Sequence, residues 1–312
     1  MAQVDSPAIL EAAWAQHLAP RELDAPTVVS LFAGCGGSSL GYSMAGFREL
    51  LAVEWDDNAV ETFKLNFPGV PVYHGDIAKL SVEECLRLAN LEPGQLDVLD
   101  GSPPCQGFST AGKRQMDDPR NSLFQEYVRL LRGLRPKAFV MENVSGLIKG
   151  KMKLVFAEIM RELKASGYKV RCRLLNAMYY NVPQSRQRLI WIGIRDDLAA
   201  EPSHPKAESR PVSGNGVISE LRAARFLSWR GKHKRDTVRP LGALPTAISR
   251  KGIDLEGRKL YANPSGVKLF FSFPPDMRFE GTATQQLMRI GNSVPPLFMR
   301  AIAGHVRILL QE

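Results

Sequence analysis

One cysteine stands in a setting that suits a nucleophile. Gly101-Ser102-Pro103-Pro104-Cys105-Gln106-Gly107-Phe108-Ser109 follows an apolar run, Leu96 to Leu99. The run reads as a buried strand, and the two prolines exclude a helix and stiffen the turn after it. A strand that delivers a thiol onto a stiff turn, beside a Gly/Ser/Thr-rich loop, can present a covalent catalyst. Taken alone, the stretch is equally well explained as a Pro-Pro loop with an incidental cysteine.

Two further groups carry polar chemistry. Glu142-Asn143-Val144 ends another apolar run, where a carboxylate can act as an acid or simply cap a helix. Gln184-Ser185-Arg186-Gln187-Arg188 precedes a strand. Arginines two residues apart on an extended chain point the same way and can hold a base carbonyl or a phosphate. In isolation they are as well read as surface charge.

A fourth group suits a nucleoside cofactor. Phe32-Ala33-Gly34-Cys35-Gly36-Gly37 follows a strand and opens a helix, so backbone can approach a ligand closely there. Glu54 ends the next strand, 20 residues after Gly34. That is the place for a carboxylate that holds ribose hydroxyls. Trp55 beside it can stack on an adenine face, and Asp76 can accept from an adenine amino group. The spacing Gly-x-Gly-Gly departs from Gly-x-Gly-x-x-Gly and argues against a plain nicotinamide dehydrogenase.

These groups need a scaffold that gathers them. From residue 26 the pattern alternates strand and helix, with strands at 28–32, 50–54, 71–73, 96–99, 137–141, 168–175 and 189–194. The intervening apolar stripes read as helices. Such repeats imply an α/β fold with a mostly parallel sheet covered on both faces. In that fold the carboxyl ends of strands line one crevice. Gly34, Glu54, Asp76, Cys105 and Glu142 are therefore expected at one edge. Ahead of this lies a helix opened by Ser6-Pro7, with Ile9, Leu10, Ala13, Trp14, His17 and Leu18 on one face; His17 reads as part of the stripe. The chain closes with an apolar helix from about Pro295 to Leu310.

The 312 residues carry a net charge of +9, which favours a polyanionic partner, nucleic acid first. Residues 222–239 mix Arg222, Arg225, Arg230, Lys232, Lys234, Arg235 and Arg239 with Phe226 and Trp229. Such a mixture suits a nucleic-acid surface, or else a solvated face with two buried anchors. Cys35, Cys85, Cys105 and Cys172 form no Cys-x-x-Cys pair, so no metal site is expected and the thiols should be reduced. No apolar run is long enough to span a bilayer, and the first residues do not read as a signal peptide. A cytoplasmic protein without a membrane partner is expected.

Taken in order, the motifs resemble those of the cytosine-C5 DNA methyltransferase family. They are Phe32-Ala33-Gly34-Cys35-Gly36-Gly37, Pro103-Pro104-Cys105-Gln106, Glu142-Asn143-Val144, Gln184-x-Arg186-x-Arg188 and Gly291-Asn292-Ser293-Val294-Pro295-Pro296. They span roughly residues 28–195 and 270–308. The resemblance implies a Rossmann-like S-adenosylmethionine-dependent methyltransferase fold with a small target-recognition domain. It divides the chain into an N-terminal helical extension (1–25), a catalytic and cofactor-binding domain (26–195), the recognition domain (196–283) and a segment returning to the catalytic domain (284–312).

By the same resemblance, Cys105 attacks C6 of a flipped-out cytosine in duplex DNA, and a methyl group passes from S-adenosyl-L-methionine to C5. Glu142 serves N3, Arg188 serves O2, and Arg186 helps hold the thiolate and its loop. Phe32, Ala33, Gly34, Cys35, Gly36, Gly37, Glu54, Trp55, Asp76, Ile77, Pro103, Leu123, Asn292, Ser293 and Val294 are implied around the cofactor. Gln106, Ser109, Lys113 and Arg114 in the closing loop, with Arg230, Lys232, Lys234 and Arg239, are implied on DNA. A monomer of the bacterial modification type is expected, with a cognate restriction endonuclease as a functional rather than physical partner.

Two features depart from the family pattern. The usual Arg-x-Leu-Thr-x-x-Glu segment is missing before Phe273-Pro274-Pro275-Asp276, and the region between Arg195 and Arg239 is short. Two alternatives stay open: the tRNA-methylating branch of the same family, and a silent DNA-binding regulator on the same fold.

Overall fold

A computed structural model describes residues 6–104, 122–150, 152–208 and 264–311, with the backbone of short strands at 244–245, 248–249, 252–255 and 258–260. Its centre is a seven-stranded sheet. The strands are β1 (Thr27–Leu31), β2 (Arg48–Glu54), β3 (Val72–His74), β4 (Val98–Gly101), β5 (Ala138–Val144), β6 (Tyr168–Asn176) and β8 (Gln187–Arg195), ordered β3-β2-β1-β4-β5-β8-β6. Every residue of β1 is buried, as expected for a central strand covered on both faces.

The first five strands are parallel. β8 departs from the repeat and runs antiparallel to both β5 and β6. Its link from β6 is too short for a crossover helix, so the chain must turn straight back. This reversal positions the site. The carboxyl ends of β1, β2, β4 and β5 share one edge, and β8 enters the sheet at that same edge, with Arg188 opposite Val144. An arginine at the start of a parallel strand would sit at the far edge.

Two apolar clusters cover the sheet, one on each face. The first gathers α1 (Ser6–Leu18), α2 (Gly37–Met44), α3 (Asp57–Asn66), α7 (Pro264–Phe270), α8 (Ala283–Asn292) and α9 (Pro296–Leu309). The second gathers α4 (Val82–Ala89), α5 (Ser122–Leu134) and α6 (Met152–Ala165). Capping is written into the sequence: Asp56 caps α3, Ser81 caps α4, and Thr282 with Gln285 forms a capping box on α8. α9 starts with proline in its first turn.

Glycines set the closest approach in the fold. A Cβ at Gly41 would come within 2.5 Å of Met299 Cβ and 2.7 Å of the Pro296 carbonyl, so α2 and α9 meet where no side chain fits. Gly37 likewise admits the Val294 carbonyl. The returning segment packs on the sheet from α7 onward, with Phe271 and Phe273 fully buried.

α1 docks through Ala13, and His17 does more than fill a stripe. Its Nδ1 lies 2.8 Å from Ser43 Oγ, its ring stacks on Trp14, and burial pushes its pKa down to about 4. Outside the main sheet, β7 (Gln184–Ser185) pairs in parallel with β9 (Leu244–Pro245). β10 (Ile248–Ser249), β11 (Gly252–Leu255) and β12 (Arg258–Leu260) form a small antiparallel sheet. No helix among the described residues is long and apolar enough to cross a membrane.

Candidate active site

The carboxyl edge of the sheet holds a buried ion pair. Glu142 near the end of β5 and Arg188 at the start of β8 meet with Oε1 and Nε 2.6 Å apart, their side chains only 9% and 12% exposed. The neighbouring Asn143 points elsewhere, since successive strand residues face opposite ways. Its amide donates to the Pro103 carbonyl at 2.9 Å, so β5 grips the turn that leads from β4 into Cys105.

Arg186 is 2% exposed. Its Nη1 donates to the Gly291 carbonyl at 3.2 Å, and its guanidinium lies 5.4 Å from the centre of the Phe271 ring. Burial, with Arg188 nearby, lowers its pKa to about 9, and Glu142 offsets part of that. It remains a cation at neutral pH. Its buried Nε has no hydrogen-bond partner among the described residues.

On the other side of β4 three elements border the same edge. The first is the turn after β1, where Gly34 and Gly36 have φ of +56° and +89°. A Cβ at Gly34 would meet nothing within 4 Å, so the backbone there faces open space. The second is the end of β2. Glu54 accepts from the backbone N–H groups of Gly34, Trp55 and Asp56 at 2.8–3.0 Å. Three donors leave it roughly one of four lone-pair sites. Trp55 stands 77% exposed at the rim. The third is the turn between α8 and α9, with Asn292 exposed and Ser293 half-buried. Bare backbone, a strand-end carboxylate and an exposed indole fit a nucleoside cofactor.

The model of C-5 cytosine-specific DNA methylases matches residues 26–238. The chain belongs to that family. It is 35% identical to the type II methyltransferase M1.HphI of Haemophilus parahaemolyticus, across 90% of this chain and 86% of that one. M.DdeI of Desulfomicrobium norvegicum is 44% identical across 62% of this chain and 48% of its own. Among solved structures, one described as a DNA modification methyltransferase encoded within an E. coli prophage superposes with a TM-score of 0.68 at 25% identity. It covers 92% of this chain and 100% of its own. Spodoptera frugiperda DNMT2 shares the fold, with a TM-score of 0.65 at 22% identity, over 92% of this chain and 100% of its own. The protein is thus a DNA (cytosine-5-)-methyltransferase on a Rossmann-like fold.

The residues expected from the sequence fall into three sets. Glu142, Arg186 and Arg188 converge at one edge, as do Phe32 to Gly37, Glu54, Trp55 and Pro103. Within this second set, Cys35 points away from the opening. Its Sγ lies 3.0 Å from Ser293 Oγ, and burial pushes its pKa up to about 11. Asp76 is exposed and caps the short 3-10 turn Ile77–Lys79 through Ala78, while Ile77 is buried. Leu123 is half-buried in the second cluster and Val294 is buried in the first. Cys105, Gln106, Ser109, Lys113, Arg114, Arg230, Lys232, Lys234 and Arg239 lie outside the described residues.

Some polar residues here gave no functional signal in the sequence. Asn143 was visible in its motif, but its grip on Pro103 depends on strand register. Asp100 and Glu49 form a buried acidic pair beneath α2. Tyr42 donates to Asp100 at 3.3 Å. Burial raises Asp100 to about 7 and Glu49 to about 8. Ser30 and Ser39 offset part of the Glu49 shift, although neither reaches hydrogen-bonding geometry with it. A carboxylate inside an apolar run, as at Leu96–Gly101, was the available hint.

Proposed function

We propose that the protein methylates C5 of a cytosine flipped out of duplex DNA, using S-adenosyl-L-methionine and a covalent bond from Cys105 to C6. The buried Glu142–Arg188 pair beside the gripped Pro103 turn is the observation that carries this reading. A cytosine edge presents a carbonyl at O2 and a ring nitrogen at N3. Arg188 suits the first as a donor, and Glu142 suits the second in its acid form, donating its proton to the ring nitrogen. C5 is a weak nucleophile while the ring is aromatic. Thiolate addition at C6 makes C5 enamine-like, with charge moving toward N3 and O2, where these two groups stabilise it.

Bound S-adenosylmethionine would supply the electrophilic methyl group. Gly34, Glu54 and Trp55 would hold its nucleoside part, and Asn292 and Ser293 the opposite side. Transfer of the C5 proton to water then expels Cys105 as thiolate, N3 returns its proton to Glu142, and aromaticity is restored. A stacked base offers no route to C6, so the target must leave the helix first. Similarity to type II methyltransferases supports a modification enzyme that acts on DNA. The same reading makes it a cytoplasmic monomer with a restriction endonuclease as functional counterpart.

The test is incorporation of labelled methyl from S-adenosylmethionine into duplex DNA or tRNA. Label in DNA is expected, and Cys105→Ala should abolish both methylation and covalent trapping by 5-fluorocytosine DNA. Label in tRNA alone would overturn the choice of substrate. Label in neither would indicate a silent regulator.

A further inference from the structure

Arg289 on α8 reaches all three elements that border this edge. Its Nη2 lies 2.5 Å from Asp56 Oδ2, two residues beyond Glu54. Its carbonyl accepts from Ser293 Oγ at 2.7 Å and from Cys35 Sγ at 3.8 Å. One residue thus joins the β2 wall, the glycine turn and the returning segment. The side chain is 19% exposed, and its buried Nε has no hydrogen-bond partner among the described residues.

The surrounding contacts make this junction a fastening between distant parts of the chain. Asn58, Thr62 and Asn66 repeat every fourth residue along α3, so they share a face. All three are buried, where an amphipathic helix would place apolar groups. Asn66 exchanges two hydrogen bonds with the backbone of Arg278, at 2.8 and 3.0 Å. The Glu280 amide donates to Thr62 Oγ1 at 3.1 Å. Gly281 passes so close to Asn58 that a Cβ would come within 2.5 Å of its Nδ2. A polar ladder on α3 therefore carries residues 278–281, and Arg289 with Asp56 closes its upper end, beside the pocket.

We infer that the Arg289–Asp56 ion pair is a clasp that sets the width of the cofactor pocket, making Arg289 a positioning residue for cofactor binding. This deepens the proposed function and rests on it. With the pair intact, Glu54 and Trp55 are held at a fixed distance from Asn292 and Ser293. Without it, the end of α8 that bears Asn292 is still held by Arg186 at Gly291 and by Cys35 at Ser293, but it loses its charged tie to the β2 end.

Asp56 allows a clean separation of roles. Its Oδ1 caps α3 through the Ala59 amide at 2.9 Å, while Oδ2 meets Arg289. Asparagine caps as well as aspartate, so Asp56→Asn keeps the cap and removes the charge. Isothermal titration with S-adenosylhomocysteine is the measurement. Asp56→Asn and Arg289→Ala should each weaken binding roughly tenfold, about 1.4 kcal/mol. The double variant should lose no more than either alone, because the two changes remove one interaction. Arg289→Lys should recover part of the loss. In steady-state assays the effect should fall on the cofactor KM more than on kcat. Arg87→Ala, which breaks an exposed pair with Glu84, should match the unsubstituted protein.

Unchanged affinity in Asp56→Asn, or additive losses in the double variant, would overturn the clasp while leaving the cofactor reading intact. No binding by the unsubstituted protein would overturn both. Because Asp56→Asn and Arg289→Lys are conservative, the outcome does not depend on Arg289→Ala folding.

Discussion

At the Glu142–Arg188 pair, stability and chemistry can be pulled apart. Both side chains are almost wholly buried, so each depends on the other's charge. Arg188→Ala strands a buried carboxylate and should cost about 3–5 kcal/mol of stability. Adding Glu142→Gln removes the stranded charge and should restore most of that loss in denaturant melts. Methylation should stay depressed by roughly 10²-fold or more in both variants, since neither presents the matched acid and donor. A double variant as unstable as Arg188→Ala alone would show that the pair is not what holds this edge. The sequence allowed both partners to be named, because each sits in an ordered motif. Arg289 was hidden for the opposite reason. Its partner Asp56 lies more than 200 residues away, and nothing local marks an arginine on an amphipathic helix as a pocket residue.

The elements were more legible than their directions. Apolar runs and caps located every strand of the main sheet to within a few residues, since periodicity and capping chemistry are local. The reversal of β8 is not written in its own residues. It follows from the short return after β6, and it brings Arg186 and Arg188 to the correct edge. The element pair β2–β4 makes its own prediction. Glu49 holds a proton up to about pH 8 in the folded chain, against an ordinary value of 4.5. Over that range the unfolded chain binds fewer protons than the folded one, so stability falls as pH rises. His17 acts in the opposite sense, but only below its ordinary 6.5, and is constant above it. Between pH 6.5 and 8 the slope should therefore show the acidic pair, with Asp100 titrating alongside Glu49. One such proton contributes up to about 1.4 kcal/mol per pH unit. Glu49→Gln should flatten the slope by up to that amount, as read from urea melts across the window. A slope unchanged by the substitution would place the proton elsewhere.

For the whole molecule, the question is how a chain with 41 basic and 32 acidic residues meets a polyanion. The two arginines described at this edge are engaged within the protein, Arg188 with Glu142 and Arg186 against Gly291 and Phe271. These two do not meet phosphates, so other cations must supply that contact. The densest basic stretch, 222–239, falls in sequence after the last strand of the large sheet and before residue 244, in the region where the family resemblance puts target recognition. Each lysine or arginine that neutralises a phosphate releases counterions, so log affinity falls with log salt by about 0.9 per contact. Neutralising Arg230, Lys232 and Lys234 together should thus flatten the salt slope of duplex binding by up to about 3 and weaken binding uniformly across sequences. Fluorescence anisotropy on a fixed duplex between low and physiological salt reads both quantities. The reacting groups are not touched, so methylation at saturating DNA and cofactor should persist. A slope that survives the triple substitution would move the phosphate-binding surface off this stretch. The closing loop, with Lys113 and Arg114, would then carry it, coupling DNA affinity to the same segment that bears Cys105.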